Sequence, residues 1–518
     1  MSKDLASLSA SECSRMFAAG KLSPVEVTKS VIEAVETYNP YLNAFCWLDT
    51  DGALAAAKDS EARWRRQEPR SPLDGVTFTV KDLSMTKGWP TRRGSRAIGP
   101  EGPWLEDAPS VARMREAGAV PLGKTTVPEF GATGTTRSEL CGVTRNPWDL
   151  SKSPGGSSGG SAAAACANMG AIALASDAAG SIRWPASFTG TFGLKTTHGR
   201  VPDYPSSYLG TLAVIGPITR SVADTALCMD VITRDDPRDS YALPPAPGYG
   251  GIVDSTDLSG MRILFSPDLG FVDVDPEIAG MVRRAVGELR DLGAEVDETD
   301  HIMDDPADIL GRLMLPGLAN AFRLFGFTEA DEALMHPRLL EYVSAGRATS
   351  LLDYLQAREK REQLGASMRE LYRDYDLLIT PTLPIPPHGA EEERSSDPRY
   401  SHITNALALT SPFNLTKQPA ASLPIGLNAG GLPVGMQVVG PLYGEVEILQ
   451  LCHAYETAHP FARPDLDALL QTPPETPVPR GIQSMRDSIA DYARAMMAKA
   501  LAGHPNRRNS VSRGVSPC

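Results

Sequence analysis

Alternating apolar and polar positions predict a strand that ends in a lysine. Along residues 76–81 apolar side chains alternate with threonines, so Lys81 should point to the pleat opposite the apolar one. Further buried strands are predicted by short apolar runs at 120–122, 172–176, 262–265, 377–379 and 435–439.

Helical spacing of apolar positions accounts for much of the remaining chain. Residues 1–70 are predicted to form helices, with Ser23 as an N-cap, Pro24 at the first helical position and Glu26 completing a capping box. Other helices are predicted at 110–117, 162–168, 277–292 and 303–375. Residues 235–260 and 381–397 are rich in proline and charged or turn-forming residues, which predicts surface loops.

The C-terminal region has a different pattern. Four prolines between 473 and 479 predict a linker, and an apolar stripe at helical spacing follows over residues 482–500. The stripe predicts a helix that docks on its own subunit or, as the second option, a contact in a homodimer. The last fifteen residues have the composition of a disordered tail.

Composition narrows the classes of partner and compartment. With 518 residues, 42% of them hydrophobic, the chain can bury a sizeable core, and a net charge of −13 argues against nucleic acid or anionic membranes as partners. Seven scattered cysteines without a Cys-x-x-Cys pair predict neither a disulfide framework nor a zinc site. The first twenty residues lack a signal-peptide core and the longest apolar run, 162–175, is too short to span a bilayer, so we expect a cytoplasmic protein.

Candidate chemistry lies in two glycine-rich segments. Ser157 stands in the Gly/Ser run 155–161, and Ser181 follows 24 positions later in the segment 177–183. A phosphate loop is excluded because no Lys-Ser or Lys-Thr pair follows the last glycine of the run. Such a run is more often a flexible turn, and a strand-terminal lysine is more often solvated. Together, however, Lys81, a relay serine and a nucleophilic serine would supply a base and a nucleophile without histidine.

The joint pattern resembles the amidase signature family. The resemblance spans residues 5–465 and rests on nine segments: 80–82, 123–130, 146–148, 154–162, 177–186, 192–195, 216–217, 380–382 and 432–437. It implies a single large α/β domain with a mixed twisted β-sheet covered by helices. The expected boundaries are an N-terminal helical segment at 1–70, the amidase signature domain at 71–470, and the linker, helix and tail at 471–518.

The resemblance also implies roles for three side chains. Ser181 is the expected nucleophile, Ser157 the relay serine and Lys81 the base, with a cis peptide bond between Gly156 and Ser157. To accept a proton, Lys81 must be neutral, and burial among apolar neighbours would lower its pKa. Neither a metal nor an organic cofactor is expected.

The backbone around the nucleophile is expected to form the oxyanion hole. Its donors would be the N–H groups of Ala178, Ala179, Gly180 and Ser181, although family members more often have glycine where Ala179 stands. The variant Ala-Ala-Gly-Ser resembles members that cut nylon-type oligomeric amides. Three further residues are expected to support the site: Ser158 beside the relay serine, and Asp177 and Arg183 as a structural ion pair bracing the loop.

The expected function is therefore an amidase that hydrolyses the C–N bond of a small carboxylic amide. Two alternatives remain: the amidase subunit of a glutamine-dependent tRNA amidotransferase, and a non-catalytic binding protein on an amidase scaffold. A histidine mechanism would have to use His198, which has no Gly-x-Ser-x-Gly elbow around it.

The substrate pocket is expected in segments 130–145, 203–215, 303–350 and 400–415, where few charged anchors are evident. We therefore expect a fairly apolar amide. The candidate lining residues, which could equally be core, are Phe130, Tyr204, Tyr208, Leu209, Met314, Phe322 and Phe325.

Overall fold

The computed structural model describes residues 5–102, 104–246, 248–251, 256–400 and 403–471. The predicted linker, C-terminal helix and tail lie almost wholly outside these residues and stay predictions. Within the described part of the chain, the structure is the single large α/β domain that the resemblance implied.

One mixed sheet of 11 strands runs through the molecule, in the order β1-β3-β2-β6-β8-β7-β12-β13-β11-β9-β10, and β4 and β5 form a separate two-stranded ribbon. The strands are β1 (Phe45–Leu48), β2 (Thr77–Lys81), β3 (Val120–Thr125), β4 (Arg137–Ser138), β5 (Gly142–Val143), β6 (Ile172–Asp177), β7 (Phe192–Lys195), β8 (Val214–Thr219), β9 (Arg262–Phe265), β10 (Glu295–Glu298), β11 (Leu377–Pro381), β12 (Ala420–Leu427) and β13 (Pro433–Val439).

Helices flank this sheet. They are α1 (Ala10–Ala18), α2 (Pro24–Leu42), α3 (Thr50–Arg65), α4 (Pro109–Glu116), α5 (Gly159–Cys166), α6 (Arg183–Thr189), α7 (Val222–Ile232), α8 (Pro276–Asp291), α9 (Ala307–Phe325), α10 (Glu329–Glu332), α11 (Pro337–Ala348), α12 (Leu351–Leu371), α13 (Ile403–Ala406), α14 (Pro412–Leu415), α15 (Glu445–Ala458) and α16 (Leu466–Leu470). The capping box of Ser23 and Glu26 at the start of α2 is confirmed.

The prediction that residues 1–70 are helical throughout is wrong in one respect. Phe45–Leu48 is a strand that pairs antiparallel with β3 at the edge of the main sheet. Phe45 and Cys46 are fully buried there, so the short apolar run gains more from pairing with the sheet than from extending α2. The N-terminal segment thus contributes to the sheet as well as packing on it.

The position of the site follows from the pairing of β2 with β6. These neighbours are parallel, and Val80 lies opposite Leu174, so their carboxyl ends meet at one edge. Lys81 ends β2, and Ser176 and Asp177 end β6 at that same edge. All five residues of β2 are buried because β3 and β6 flank it and helices cover it, so alternation along it does not separate a buried face from an exposed one.

Helices α9–α12 form an excursion between β10 and β11. Leu310, Leu313 and Leu318 of α9 are buried, and α9 packs against α11 and α12. This helical excursion agrees with the prediction for residues 303–375 and supplies one wall of the cavities described below.

Candidate active site

The ammonium group of Lys81 lies at the centre of a buried hydrogen-bonded cluster. Its Nζ donates to Ser157 Oγ at 2.8 Å, to Ser176 Oγ at 3.0 Å and to the carbonyl oxygen of Ser176 at 3.1 Å. Lys81 is fully buried and Ser157 almost so. The three N–H groups of a protonated lysine are therefore all used, and two of the three partners are hydroxyls that could donate back to a neutral amine.

Burial lowers the pKa of Lys81 to about 7, against the opposing attraction of Asp177. Because an unperturbed lysine titrates near pH ~10.4, this residue exchanges its proton within the physiological range. Asp82, the next residue, lies instead beside another buried lysine, with its Oδ1 3.8 Å from Lys124 Nζ. The predicted separation of Asp82 from the face of Lys81 agrees with that placement.

Ser157 sits where the Gly/Ser run turns into α5. The peptide bond between Gly156 and Ser157 is cis, as the resemblance implied. The neighbouring Ser158 joins the two serine segments, because its N–H donates to the carbonyl of Ser181 at 3.3 Å and its Oγ donates to the carbonyl of Ser176 at 3.3 Å. A Cβ on Gly156 would lie 2.8 Å from the backbone of Gly134, so only glycine fits at this position without a shift.

Asp177 and Arg183 brace the loop that carries Ser181. Arg183 donates to both carboxylate oxygens of Asp177 at 3.0 Å, and both side chains are fully buried. Burial alone would raise the pKa of Asp177, but Arg183 holds it well below its usual range. Arg183 also donates to Asn414 and Gln437, each at 2.7 Å, so the loop is tied to α14 and β13.

The N–H groups of the loop divide into two sets. Those of Gly180 and Ile182 donate to the carboxylate of Asp177 at 2.7 and 3.1 Å. Those of Ala178, Ala179 and Ser181 have no acceptor among the described residues, and these three residues line cavities. Of the four donors expected in the oxyanion hole, Gly180 is thus already engaged by the brace, while the other three face open space.

The alanine in place of the commoner glycine is compatible with this loop. Ala179 is not among the described residues with a positive φ, so its Cβ causes no backbone strain. Gly180 is the strained position, with φ +133°, and a Cβ there would come 2.4 Å from Thr410 Oγ1.

Ser181 stands between two cavities. We call the first the charged cavity, of about 360 Å³, because its wall includes Arg93 and Asp203 together with Ser157, Ser176 and Ser181. The second, the apolar cavity of about 410 Å³, has no charged side chain among the described residues of its wall, which include Trp184, Leu310, Met314, Leu318 and Leu407. Both share Phe130, Gly131, Ala178, Ser181, Tyr208 and Leu209.

The structure places most of the predicted pocket residues in these walls. Tyr204 and Phe325 line the charged cavity, and Met314 the apolar one, whereas Phe322 is buried behind Phe130 with ring centroids 5.8 Å apart. Sequence reasoning missed Ser176, Trp184, Arg93 and Asp203. The expectation of few charged anchors is therefore wrong, because Arg93 comes from the loop after β2, outside the segments predicted to form the pocket.

His198 does not support a histidine mechanism. It packs edge-on against Tyr241, with ring centroids 5.3 Å apart, and lines neither cavity. Burial lowers its pKa to about 4, helped by Lys417 and Lys195. Among the described residues, Ser157 and Ser181 make no hydrogen bond to any histidine.

Two searches of the described chain were negative. No group of three or more His, Cys, Asp or Glu residues is arranged to hold a metal ion there. In the same residues, every helix is too short or too polar to cross a membrane.

Comparison with known proteins agrees with this geometry. The family model described as Amidase matches residues 26–449. An acylamidase of Rhodococcus erythropolis is 32% identical over 460 residues, which cover 88% of this chain and 96% of that protein. The amidase-type subunit of a glutamyl-tRNA(Gln) amidotransferase from Symbiobacterium thermophilum is 34% identical over 490 residues, which cover 89% of this chain and 99% of that protein.

Solved structures give the same grouping. A bacterial aryl acylamidase of the amidase signature family superposes with a TM-score of 0.82 at 28% identity, covering 91% of this chain and 99% of that chain. A 6-aminohexanoate cyclic dimer hydrolase superposes with a TM-score of 0.79 at 29% identity, covering 90% and 99%.

Proposed function

The chain belongs to the amidase signature family, and we propose that it hydrolyses the C–N bond of small carboxylic amides through an acyl-enzyme on Ser181. Family membership supports a hydrolase acting on C–N bonds. The observation that carries the proposal is the contact between Lys81 Nζ and Ser157 Oγ at 2.8 Å, beside a cavity that contains Ser181. A buried lysine with a pKa of about 7 is suited to accept and return a proton near neutral pH.

In the first half of the reaction, neutral Lys81 takes the proton of Ser157, which takes the proton of Ser181. The Ser181 oxygen attacks the amide carbon, and a tetrahedral intermediate forms. Its C–N bond then breaks as Lys81 returns the proton through Ser157 to the departing nitrogen. The structure has no hydrogen bond between Ser157 and Ser181, and such contacts commonly tighten only when substrate binds.

In the second half, water attacks the ester carbon of the acyl-enzyme. Lys81 accepts its proton through Ser157 and delivers it to Ser181 as the acid is released. In both halves, the N–H groups of Ala178, Ala179 and Ser181 are the candidate donors to the oxyanion. Each such donor is worth roughly 3 kcal/mol in a transition state.

The acyl-enzyme is the test of this proposal. A chromogenic anilide or ester mixed with the protein and quenched with acid should leave a mass increment equal to the acyl group on the peptide that contains Ser181. A fluorophosphonate probe should label the same serine. Ser181→Ala should show neither adduct, and Ser11→Ala, which changes a remote serine, should show both. An adduct on another residue would contradict the proposal.

A second candidate function is the amidase subunit of a tRNA-dependent amidotransferase. It is favoured by relatives of that description, such as the one from Symbiobacterium thermophilum at 34% identity. Purification of the tagged chain from its own cells separates the two functions. A stable complex with further subunits, together with strict dependence on glutamine, would favour the amidotransferase; turnover of anilides by the isolated chain would favour the independent amidase.

The non-catalytic alternative makes a different prediction. A binding protein on this scaffold would bind amides in its cavities without labelling at Ser181. Retention of Lys81, Ser157 and Ser181 in one buried arrangement favours the enzyme, which we propose acts in the cytoplasm on a small-molecule amide. A homodimer through the C-terminal helix also stays a proposal, and sedimentation of the chain with and without residues 472–518 would test it.

A further inference from the structure

Arg93 lines the charged cavity without an ionic partner in the described part of the chain. Its guanidinium makes no hydrogen bond or ion pair with any described residue, although arginine offers five N–H donors. It lies over the ring of Phe325, with its Cζ 5.5 Å from the ring centroid. This contact orients the side chain and leaves its donors for a group that enters the cavity.

The backbone at this point is held in an unusual conformation. Arg93 and Phe130 both have φ +54°, and the N–H of Phe130 donates to the carbonyl oxygen of Arg93 at 2.8 Å. Left-handed conformations cost non-glycine residues of order 1–3 kcal/mol and occur preferentially at ligand-binding and catalytic positions. The carbonyl of Phe130 in turn accepts from the hydroxyl of Tyr208 at 2.5 Å, so the wall shared by the two cavities is fixed to Arg93.

Asp203 is the one acidic residue among the described residues that line the charged cavity. Burial and the neighbouring Asp239 raise the pKa of Asp203 to about 7, against the opposing effects of Arg93 and the backbone N–H of Ser207. A carboxyl group that is largely protonated near neutral pH cancels little of the charge of Arg93, and it can donate a hydrogen bond of its own. The local environment therefore favours an anion, although the whole chain carries a net charge of −13.

We propose that the charged cavity recognises a carboxylate on the substrate, and that Arg93 is its anchor. The substrate class is then an amide that joins an apolar group, held in the apolar cavity, to a carboxylate-bearing group on the other side of the scissile bond. This rests on the proposed function, because it assumes that both cavities serve Ser181. It replaces the expectation of a wholly apolar amide.

Three anilides with one phenyl group and matched tails test the anchor. N-phenylsuccinamic acid carries a carboxylate, N-phenylpentanamide is neutral and 4-aminobutananilide is cationic. The wild-type chain should have the highest kcat/KM for the anionic anilide. Arg93→Gln should lower the ratio of anionic to neutral kcat/KM about 10- to 100-fold, as expected for loss of a charge-assisted contact. Arg93→Lys should recover part of that ratio.

Two further variants make the test more specific. Arg96→Gln removes a nearby arginine that is 54% exposed and lies outside the cavity, so it should leave the ratio unchanged. Asp203→Asn removes the competing carboxylate and should keep or raise the preference for the anion. Preference for the cationic anilide, with its loss in Asp203→Asn, would overturn the proposal in favour of ammonium recognition.

The same comparison is made in the reverse orientation with N-benzoyl-β-alanine and N-benzoylpropylamine, since the carboxylate could lie on either half of the amide. Calorimetric binding of all five compounds to Ser181→Ala measures recognition without turnover. Hydrolysis of none of them would contradict the proposed function alone. Equal binding of anionic and neutral compounds, or equal behaviour of Arg93→Gln and Arg96→Gln, would contradict the anchor alone.

Discussion

Arg183 grips both carboxylate oxygens of Asp177 at 3.0 Å, six residues apart in the chain and fully buried, with the nucleophile candidate between them. Asp177 in turn accepts from the N–H groups of Gly180 and Ile182. The loop shape around Ser181 is therefore set by one ion pair, although neither charge needs to touch a substrate.

Arg183→Ala should lower the free energy of unfolding by about 3–5 kcal/mol, because Asp177 would be left buried and unpaired. Urea denaturation at pH 7 measures the loss. Arg312→Ala, which breaks a surface pair with Asp308, is the matched control and should cost at most ~1 kcal/mol. Because the pKa of Asp177 is depressed in the folded state, its contribution is present above its unfolded pKa of ~3.9 and is lost as the pH falls below it. Equal losses in the two variants would contradict the structural role.

Lys81→Ala should reduce amide hydrolysis roughly 10²–10⁴-fold, since proton delivery to a poor amine leaving group is lost. Esters with good leaving groups should lose less, because an aryloxide departs without a proton. Initial rates on a matched anilide and aryl ester measure the difference. Ser181→Ala should abolish both reactions, and Ser157→Ala should fall between them. Near-native amide turnover in Lys81→Ala, or its loss in His198→Ala instead, would show that the lysine mechanism is wrong.

The pH dependence should follow the protonation of Lys81. With a pKa of about 7, the amine is charged below that pH and neutral above it, so kcat/KM for a neutral anilide should rise through pH 7 and level off. Steady-state kinetics from pH 5.5 to 9 gives this limb. Burial also lowers the pKa of Lys195 to about 7. If the limb persists in the residual activity of Lys81→Ala, it belongs to another group such as Lys195.

Gly180→Ala should abolish most activity, because φ +133° is unfavourable for alanine and its Cβ would meet Thr410 Oγ1 at 2.4 Å. We expect a loss of kcat of at least ~10²-fold, comparable to removing an oxyanion donor. Gly20→Ala provides the control: that glycine also has a positive φ, +62°, but no atom within 4 Å of the added Cβ. It should cost of order 1 kcal/mol in stability and leave kcat unchanged. A native kcat in Gly180→Ala would show that the loop can relax.

Much of the site could be read from the sequence because its parts are local motifs. Lys81 ends an alternating strand, and Ser157 and Ser181 stand in glycine-rich turns, so residue type and spacing both mark them. Ser176 was missed because its role depends on register: only the parallel pairing of β2 with β6 brings it beside Lys81. No local pattern contains that information.

Arg93 and Asp203 were missed for a related reason. They lie 110 positions apart in loops, and nothing in their neighbouring residues marks them as facing one cavity. The strand β1 was missed because a four-residue apolar run between helices is compatible with either structure until its partner β3 is known. In each case the deciding contact is between segments distant in the chain.

The helical excursion between β10 and β11 supplies six residues to the wall of the apolar cavity from α9 and one, Tyr342, from α11, and none to the cluster of Lys81, Ser157 and Ser176. Selectivity and reactivity thus reside in separable parts of one polypeptide. Grafting the corresponding helices of a relative onto this sheet should transplant substrate choice while the host keeps its own reaction chemistry. Divergence among such proteins could then proceed by exchanging one lobe, without passing through inactive ancestors.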